Sequence, residues 1–272
     1  QLTAQGCDVA TCDVIAENLA ETVAICTADG NSGKILSHIA DVSNEAQVLG
    51  FRDAVAAWRP HVNVLFNNAG IGGSSPLELT PEEEHRQYFE TNYFGAVSCI
   101  QAVIKSMRER KTGCIVNITS AVGLMATPNQ IGYSASKWAL ECLGESLAHE
   151  LYRFGVRVVN IEPGVIMTNI FENSAEQTRY DKTSPYQPII RRNGKIFMAG
   201  FQRAVGPEAV AETILEAATT DEYKLRWPVG SDAEGFMAAR NSVSSEEWIE
   251  MGGDLSDEEY NARFLEMYGV QL

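Results

Sequence analysis

Cys114-Ile115-Val116-Asn117-Ile118-Thr119-Ser120 is a brief β-rich apolar run that ends on a hydroxyl. Tyr133 follows thirteen positions later, in Gly132-Tyr133-Ser134-Ala135-Ser136-Lys137-Trp138, where a helical pattern begins. The first stretch reads as a buried strand and the second as the start of the helix that follows it. The same alternation runs along the chain, with strands expected over residues 7–12, 35–40, 62–67, 114–119, 156–162 and 224–229. Helical spacing falls between them, over 45–58, 81–110, 133–154 and 207–218, with Ser43 or Asn44, Thr80 and Gly206 as entry points. Asn92 and Gly95 interrupt 81–110, which predicts two helices or one bent helix. Short strands separated by long helices specify a parallel sheet with crossover helices, a doubly wound α/β fold.

With 272 residues, 45% of them apolar, the chain can bury one large core, and a second domain is not required. No apolar run approaches the roughly eighteen residues of a membrane span, and no basic-then-apolar signal opens the sequence. A cytoplasmic protein is expected. Six cysteines without Cys-x-x-Cys spacing and four scattered histidines point to free thiols rather than a disulfide framework or a metal site. A formal charge of -15 argues against a nucleic acid or an anionic membrane as partner. From residue 231 onward the chain is acidic and helical yet carries Phe236, Trp248, Tyr260, Phe264 and Tyr268, so it is expected to pack as an extension on the domain formed by residues 1–230.

Open α/β sheets bind ligands at the C-terminal ends of their strands, and the polar residues there are informative. Asp13, Asp41-Val42, Asn67-Asn68-Ala69-Gly70, Ser120 and Pro163-Gly164-Val165-Ile166-Met167-Thr168 follow five successive strands and converge on one crevice. Tyr133 and Lys137 stand one helical turn apart on the same face, so the ammonium favours the phenolate and lowers a pKa that is ordinarily about 10. A tyrosine tuned in this way acts as general acid or base. Tyr-x-x-x-Lys alone is a weak signal; its companions give it weight.

In order and spacing, Asn-Asn-Ala-Gly after a strand, Asn92-x-x-Gly95, Ile115 to Ser120, Tyr133-x-x-x-Lys137 and Pro163-Gly164 resemble the short-chain dehydrogenase/reductase family, through about Val229. The resemblance implies a Rossmann-like fold and an NAD-dependent oxidoreductase that interconverts an alcohol and a ketone or aldehyde. Tyr133 would exchange a proton with the substrate oxygen, and Ser120 would hold that oxygen, with Thr119 and Ser134 as competitors. Lys137 would bond the nicotinamide ribose and tune Tyr133, and Asn92 would hold a water linking Lys137 to solvent. Asp13, unless an ordinary turn aspartate, would bond the adenosine ribose and disfavour NADP. Asp41 and Val42 would hold the adenine, and Asn68, Ala69 and Gly70 would admit its ribose. Pro163 and Gly164 would lead to Ile166 and Thr168 at the nicotinamide carboxamide. A substrate lid is implied over 171–201, where Phe171, Tyr180, Tyr186, Ile189, Ile190, Phe197 and Met198 would either line an apolar pocket or form the lid's own packing core. Leu225 to Gly230 resembles the branch of 17β-hydroxysteroid and retinol dehydrogenases. The helix carrying Trp138, Leu140, Leu143, Leu147 and Leu151 would pair with its symmetry mate, together with the helix around 92–107, in a homodimer or homotetramer.

The family's opening strand and Gly-x-x-x-Gly-x-Gly turn are not in this sequence. Residues 1–5 read as the last turn of the helix after that loop, with Gly6 as its cap. Residues 28–35 superficially suggest a phosphate loop but precede a strand instead of following one, and read as a solvent loop. In the family's strand order the opening strand lies between those ending at Asp13 and Asn67. With strands about 4.8 Å apart, its absence predicts a gap of nearly 10 Å in the sheet. The chain is therefore expected to be a fragment lacking roughly 20 to 30 N-terminal residues, the size of a strand, glycine turn and helix. Two other functions stay open: an NADPH-dependent carbonyl reductase, and a non-catalytic protein without its pyrophosphate loop.

Overall fold

Six short strands, each feeding a helix, set the architecture. A computed structural model describes residues 1–28, 30–174, 177–179 and 181–272; Tyr180, named above, and position 29 of the 28–35 loop lie outside them. The strands are β1 (Val9–Asp13), β2 (Ile35–Ile39), β3 (Val64–Asn67), β4 (Gly113–Ile118), β5 (Val156–Pro163) and β6 (Arg226–Val229). All pair in parallel, as two ladders: β1 with β2, and β3-β4-β5-β6. Among the described residues no strand joins β1 to β3. The division falls where the expected strand order leaves its gap. Ahead of β1, the turn Thr3–Gln5 ends at Gly6 (φ 82°), a left-handed cap that glycine adopts without strain.

Several strands begin about two residues later than the pattern suggests. At β1 the reason is visible: Asp8 spends its carboxylate on the Lys34 amide (2.9 Å) and the Arg59 guanidinium (2.6 Å), which fixes it outside the ladder. The helices are α1 (Ala16–Cys26), α2 (Glu45–Trp58), α3 (Glu82–Phe89), α4 (Gly95–Arg110), α5 (Ile131–Leu151), α6 (Ile170–Asn173), α7 (Gln187–Phe201), α8 (Pro207–Thr219), α9 (Ser231–Ser242), α10 (Ser245–Glu250) and α11 (Asp257–Tyr268). Asn44, not Ser43, caps α2 by accepting the Gln47 amide. Five residues of π-helix, Glu90–Phe94, join α3 to α4, so 81–110 is one helical path with a widened turn at Asn92. α1 and α7 carry no cap signal strong enough to expect them.

Helices cover both faces of the four-stranded ladder. Ile115, Val156 and Val158 meet Ile100 and Met107 of α4 and Leu147 and Leu151 of α5. On the other face Cys114, Val116, Val159, Ile161, Trp227 and Val229 meet Ala217 of α8. Leu147 is 7% exposed in that first core, which corrects its assignment to a subunit seam: it packs on the sheet. At Gly144 a Cβ would stand 2.1 Å from Asn160 Oδ1, so glycine is what lets α5 lie against β5. Beyond β6, Met251, Tyr260, Phe264, Tyr268 and Val270 pack on Ala199 of α7, joining α11 and the segment after α10 to the lid region.

Candidate active site

Strand β4 delivers Thr119 and Ser120 to its C-terminal end, and α5 starts beside them. Thr119 spends its hydroxyl on the Ile161 carbonyl (2.7 Å), and the buried Ser134 hydroxyl finds no partner among the described residues. Of the three competitors, Ser120 is the one whose hydroxyl acts on the Tyr133 phenol, lowering its pKa. Its hydroxyl also reaches the Pro163 carbonyl (3.4 Å) and accepts the Val122 amide (3.3 Å).

Lys137 is 5% exposed, and its Nζ donates to the Ile118 carbonyl (2.8 Å), 5.8 Å from the Tyr133 ring centre. Burial pulls its pKa down to about 8, and the Glu141 carboxylate offsets part of the fall. Tyr133 moves the other way from the expected direction. Burial raises the phenol, and the hydrogen bond with Ser120 recovers only part, because the ammonium is directed at a carbonyl rather than at the phenolic oxygen.

Asn92, 1% exposed, holds backbone: its Oδ1 accepts the Ile71 amide (2.9 Å), and its Nδ2 donates to the Ile71 carbonyl (3.0 Å) and to Ser136 Oγ (2.9 Å). It thereby ties the loop after β3 to α5. A Cβ on Gly70 would lie 3.3 Å from Asn92 Oδ1 and 3.5 Å from Lys137 Nζ, so that loop runs directly past the ammonium. Asn68 and Ala69 beside it are exposed.

Asp13 ends β1 with Oδ1 accepting the Ile15 amide (2.8 Å), the bond of an Asx turn. Asp41 accepts from the Ser43 amide and hydroxyl (2.9 and 2.7 Å), and Val42 packs against Gly95, where a Cβ would meet it at 2.8 Å. Pro163 and Gly164 leave β5 half-buried. Ile166 is buried and bridged to Val205, and Thr168 is exposed. The lid aromatics divide: Phe171 meets Phe201 at a tilt and Phe197 edge-on (centres 4.8 and 6.3 Å apart), and Tyr186 bonds Glu78 (2.6 Å). Phe171, Phe197 and Phe201 thus pack on one another, while Met198 stays exposed. Among the described residues no group of three or more His, Cys, Asp or Glu side chains is placed to hold a metal, and no helix is long and apolar enough to cross a membrane.

The crevice holds one feature that the motifs do not announce. Asn67 donates to Asn117 (2.9 Å), Asn117 to Asn160 (3.1 Å), and Asn160 to Glu141 (2.8 Å), a buried row across β3, β4 and β5 into α5. The only trace in the sequence is a polar residue inside each of three strands.

Residues 1–179 match the short chain dehydrogenase family, and the chain belongs to it. A short-chain dehydrogenase from Streptomyces avermitilis superposes with a TM-score of 0.77 at 31% identity, covering 92% of this chain and 89% of that one. A family member from Burkholderia phymatum, solved in complex with NAD, gives 0.74 at 25% identity, over 92% and 88%. In sequence, the 3-ketodihydrosphingosine reductase of Bacteroides thetaiotaomicron is 32% identical over 78% of this chain and 79% of its own length. The chain is thus an NAD(P)-dependent oxidoreductase of this family. The donor set fits a nicotinamide dinucleotide. Lys137 commits one of its three N–H donors, the Gly70 backbone passes it without a side chain between, and one Asp13 carboxylate oxygen is outside the Asx turn.

Proposed function

We propose that the protein interconverts an alcohol and a ketone or aldehyde, with Tyr133 as the general acid or base. The observation that carries this reading is the meeting of Ser120 with Tyr133 while Lys137 Nζ stands beside the Gly70 loop. A bound nicotinamide dinucleotide supplies or accepts the hydride. Ser120 orients the substrate oxygen, and the Tyr133 phenol donates to it when a carbonyl is reduced. Lys137 would hold the cofactor's ribose hydroxyls, and Asn92 fixes the loop that carries Gly70. NADH formation from a panel of alcohols, or its consumption by the corresponding carbonyls, tests this. No turnover with either NAD or NADP across the panel would refute it.

Asp13 makes NAD the preferred cofactor, because a carboxylate at the end of β1 bonds ribose hydroxyls and repels a 2′-phosphate. Asp13→Ala is expected to lower the NAD-over-NADP preference in kcat/KM by about tenfold or more, since a charged hydrogen bond is worth about 1.5 to 3 kcal/mol. An unchanged preference would leave Asp13 only its Asx turn.

The substrate is apolar. Met167, which follows β5 between Ile166 and Thr168, exposes 57% of its surface, Met198 and Phe171 in the lid region expose 61% and 37%, and the Bacteroides relative is named for a ketodihydrosphingosine. The protein assembles as a homodimer or homotetramer through the outer faces of α4 and α5, where Trp138 is 47% exposed on α5 and Phe94, just ahead of α4, 48%. Trp138→Glu is expected to lower the mass measured by light scattering while the fold persists. A wild-type monomer at micromolar concentration would contradict the assembly.

A further inference from the structure

Two buried carboxyl groups that proton transfer does not use lie directly behind the site. Glu141, one helical turn beyond Lys137 on α5, is 3% exposed. Its Oε2 accepts from Asn160 (2.8 Å) and from Arg226 Nε (3.2 Å), at the end of the asparagine row. Its Cγ would touch a Cβ at Gly123 (3.1 Å), in the turn that Ser120 begins. Glu162, on the same face of β5 as Asn160 and just before Pro163, is fully buried with Oε1 3.4 Å from the same Arg226 Nε. Among the described residues, Glu141 Oε1 and both oxygens of Glu162 have no hydrogen-bond partner. Two carboxylates so placed on one guanidinium are not both charged, because each uncompensated buried charge is costly.

We propose that Glu141 is a positioning residue of the hydride-transfer site: its carboxylate, fixed by Asn160 and Arg226, keeps the buried Lys137 ammonium charged, while Glu162 carries the proton that lets the two acids share one arginine. The inference rests on the reading of Tyr133 and Lys137 as the proton-transfer pair. The donor direction of the asparagine row supports it, since every N–H points toward Glu141, whose carboxyl closes the row as its acceptor. Burial, with the charge of Glu141 beside it, raises Glu162 to about 8, and Arg226 and Lys224 oppose the rise. The charged groups facing the pair are Lys137 and Glu145 on α5, and Lys224 and Arg226 at β6; the turn Ala121–Gly123 contributes none. Lys137 makes no direct ion pair with Glu141, so the influence is through space along one helical turn.

The test begins with the lysines labelled with ¹³C at Cε and read by NMR as pH is raised, the Lys137 resonance being identified by its loss in Lys137→Met. In Glu141→Gln the Lys137 titration is expected to move down by about one pH unit or more, the alkaline limb of kcat/KM following it, because a buried opposite charge has been removed. Glu145→Gln, which removes the 64% exposed partner of the same arginine, is expected to leave both unchanged. Glu162→Gln supplies a readout free of catalysis. A carboxyl raised from 4.5 to about 8 binds more protons folded than unfolded between those values, so wild-type stability falls as pH rises through that window. In Glu162→Gln that part of the slope in denaturant unfolding is expected to vanish. An unmoved Lys137 titration in Glu141→Gln, or an unchanged slope in Glu162→Gln, overturns the inference. Absence of turnover in the wild type, with both titrations as expected, would instead overturn the proposed function.

Discussion

Tyr133→Phe is expected to lower turnover by about 10² to 10⁴-fold, the usual worth of a positioned general acid or base, while cofactor affinity stays within a few-fold. The expectation follows from placement. Removing one oxygen leaves the ring beside Lys137 intact but takes away the hydroxyl that would carry the proton. Steady-state kinetics with an accepted substrate, beside a cofactor fluorescence titration, separates the two effects. Near-wild-type turnover in the variant would remove Tyr133 from the mechanism.

Lys137→Met differs in kind, because it is expected to damage both turnover and cofactor affinity. The methionine fills the space but loses a charged donor, a loss of about 1.5 to 3 kcal/mol or roughly tenfold to a hundredfold in affinity. The wild-type pH profile carries the sign. Burial lowers Lys137 to about 8, so the ammonium is present below that pH and lost above it, and kcat/KM in the free enzyme falls on the alkaline side with that group. In the variant that limb is expected to disappear. A limb near pH 8 that persists without Lys137 would assign it to another group.

How far the sequence foretold these residues differs from place to place. The strand runs and the Tyr133–Lys137 turn were legible because hydrophobic period and local spacing are properties of neighbours in sequence. So was the division of the sheet, since a missing strand in a fixed order leaves its two neighbours unpaired. The thirteen-residue spacing to Tyr133 favoured Ser120 over Thr119 locally, but the bond that occupies the Thr119 hydroxyl, to the Ile161 carbonyl forty-two residues away, was not legible. Distance in sequence likewise hid the asparagine row: Asn67, Asn117 and Asn160 meet only through strand register, and nothing local marks their direction toward Glu141. The broad apolar stripe of α5 suggested a seam at Leu147, yet β4, β5 and α4 consume that part of it. The net direction of the Tyr133 shift was missed for a related reason. Helical spacing places an ammonium near a phenol, but burial and the Ile118 carbonyl decide how much of its charge the phenol receives.

The central claim is that hydride passes between a nicotinamide dinucleotide and the carbon of an alcohol or carbonyl, with Tyr133 handling the proton. The most direct measurement is mass spectrometry of the alcohol formed when wild type and Tyr133→Phe reduce an accepted carbonyl with NADH deuterated at the nicotinamide C4. The account predicts one deuterium on the carbinol carbon of the wild-type product and at least a hundredfold less labelled product from the variant in the same time, the low end of the loss being about 10². An alcohol formed without deuterium from either face of the labelled cofactor, or labelled equally fast by the variant, would contradict it.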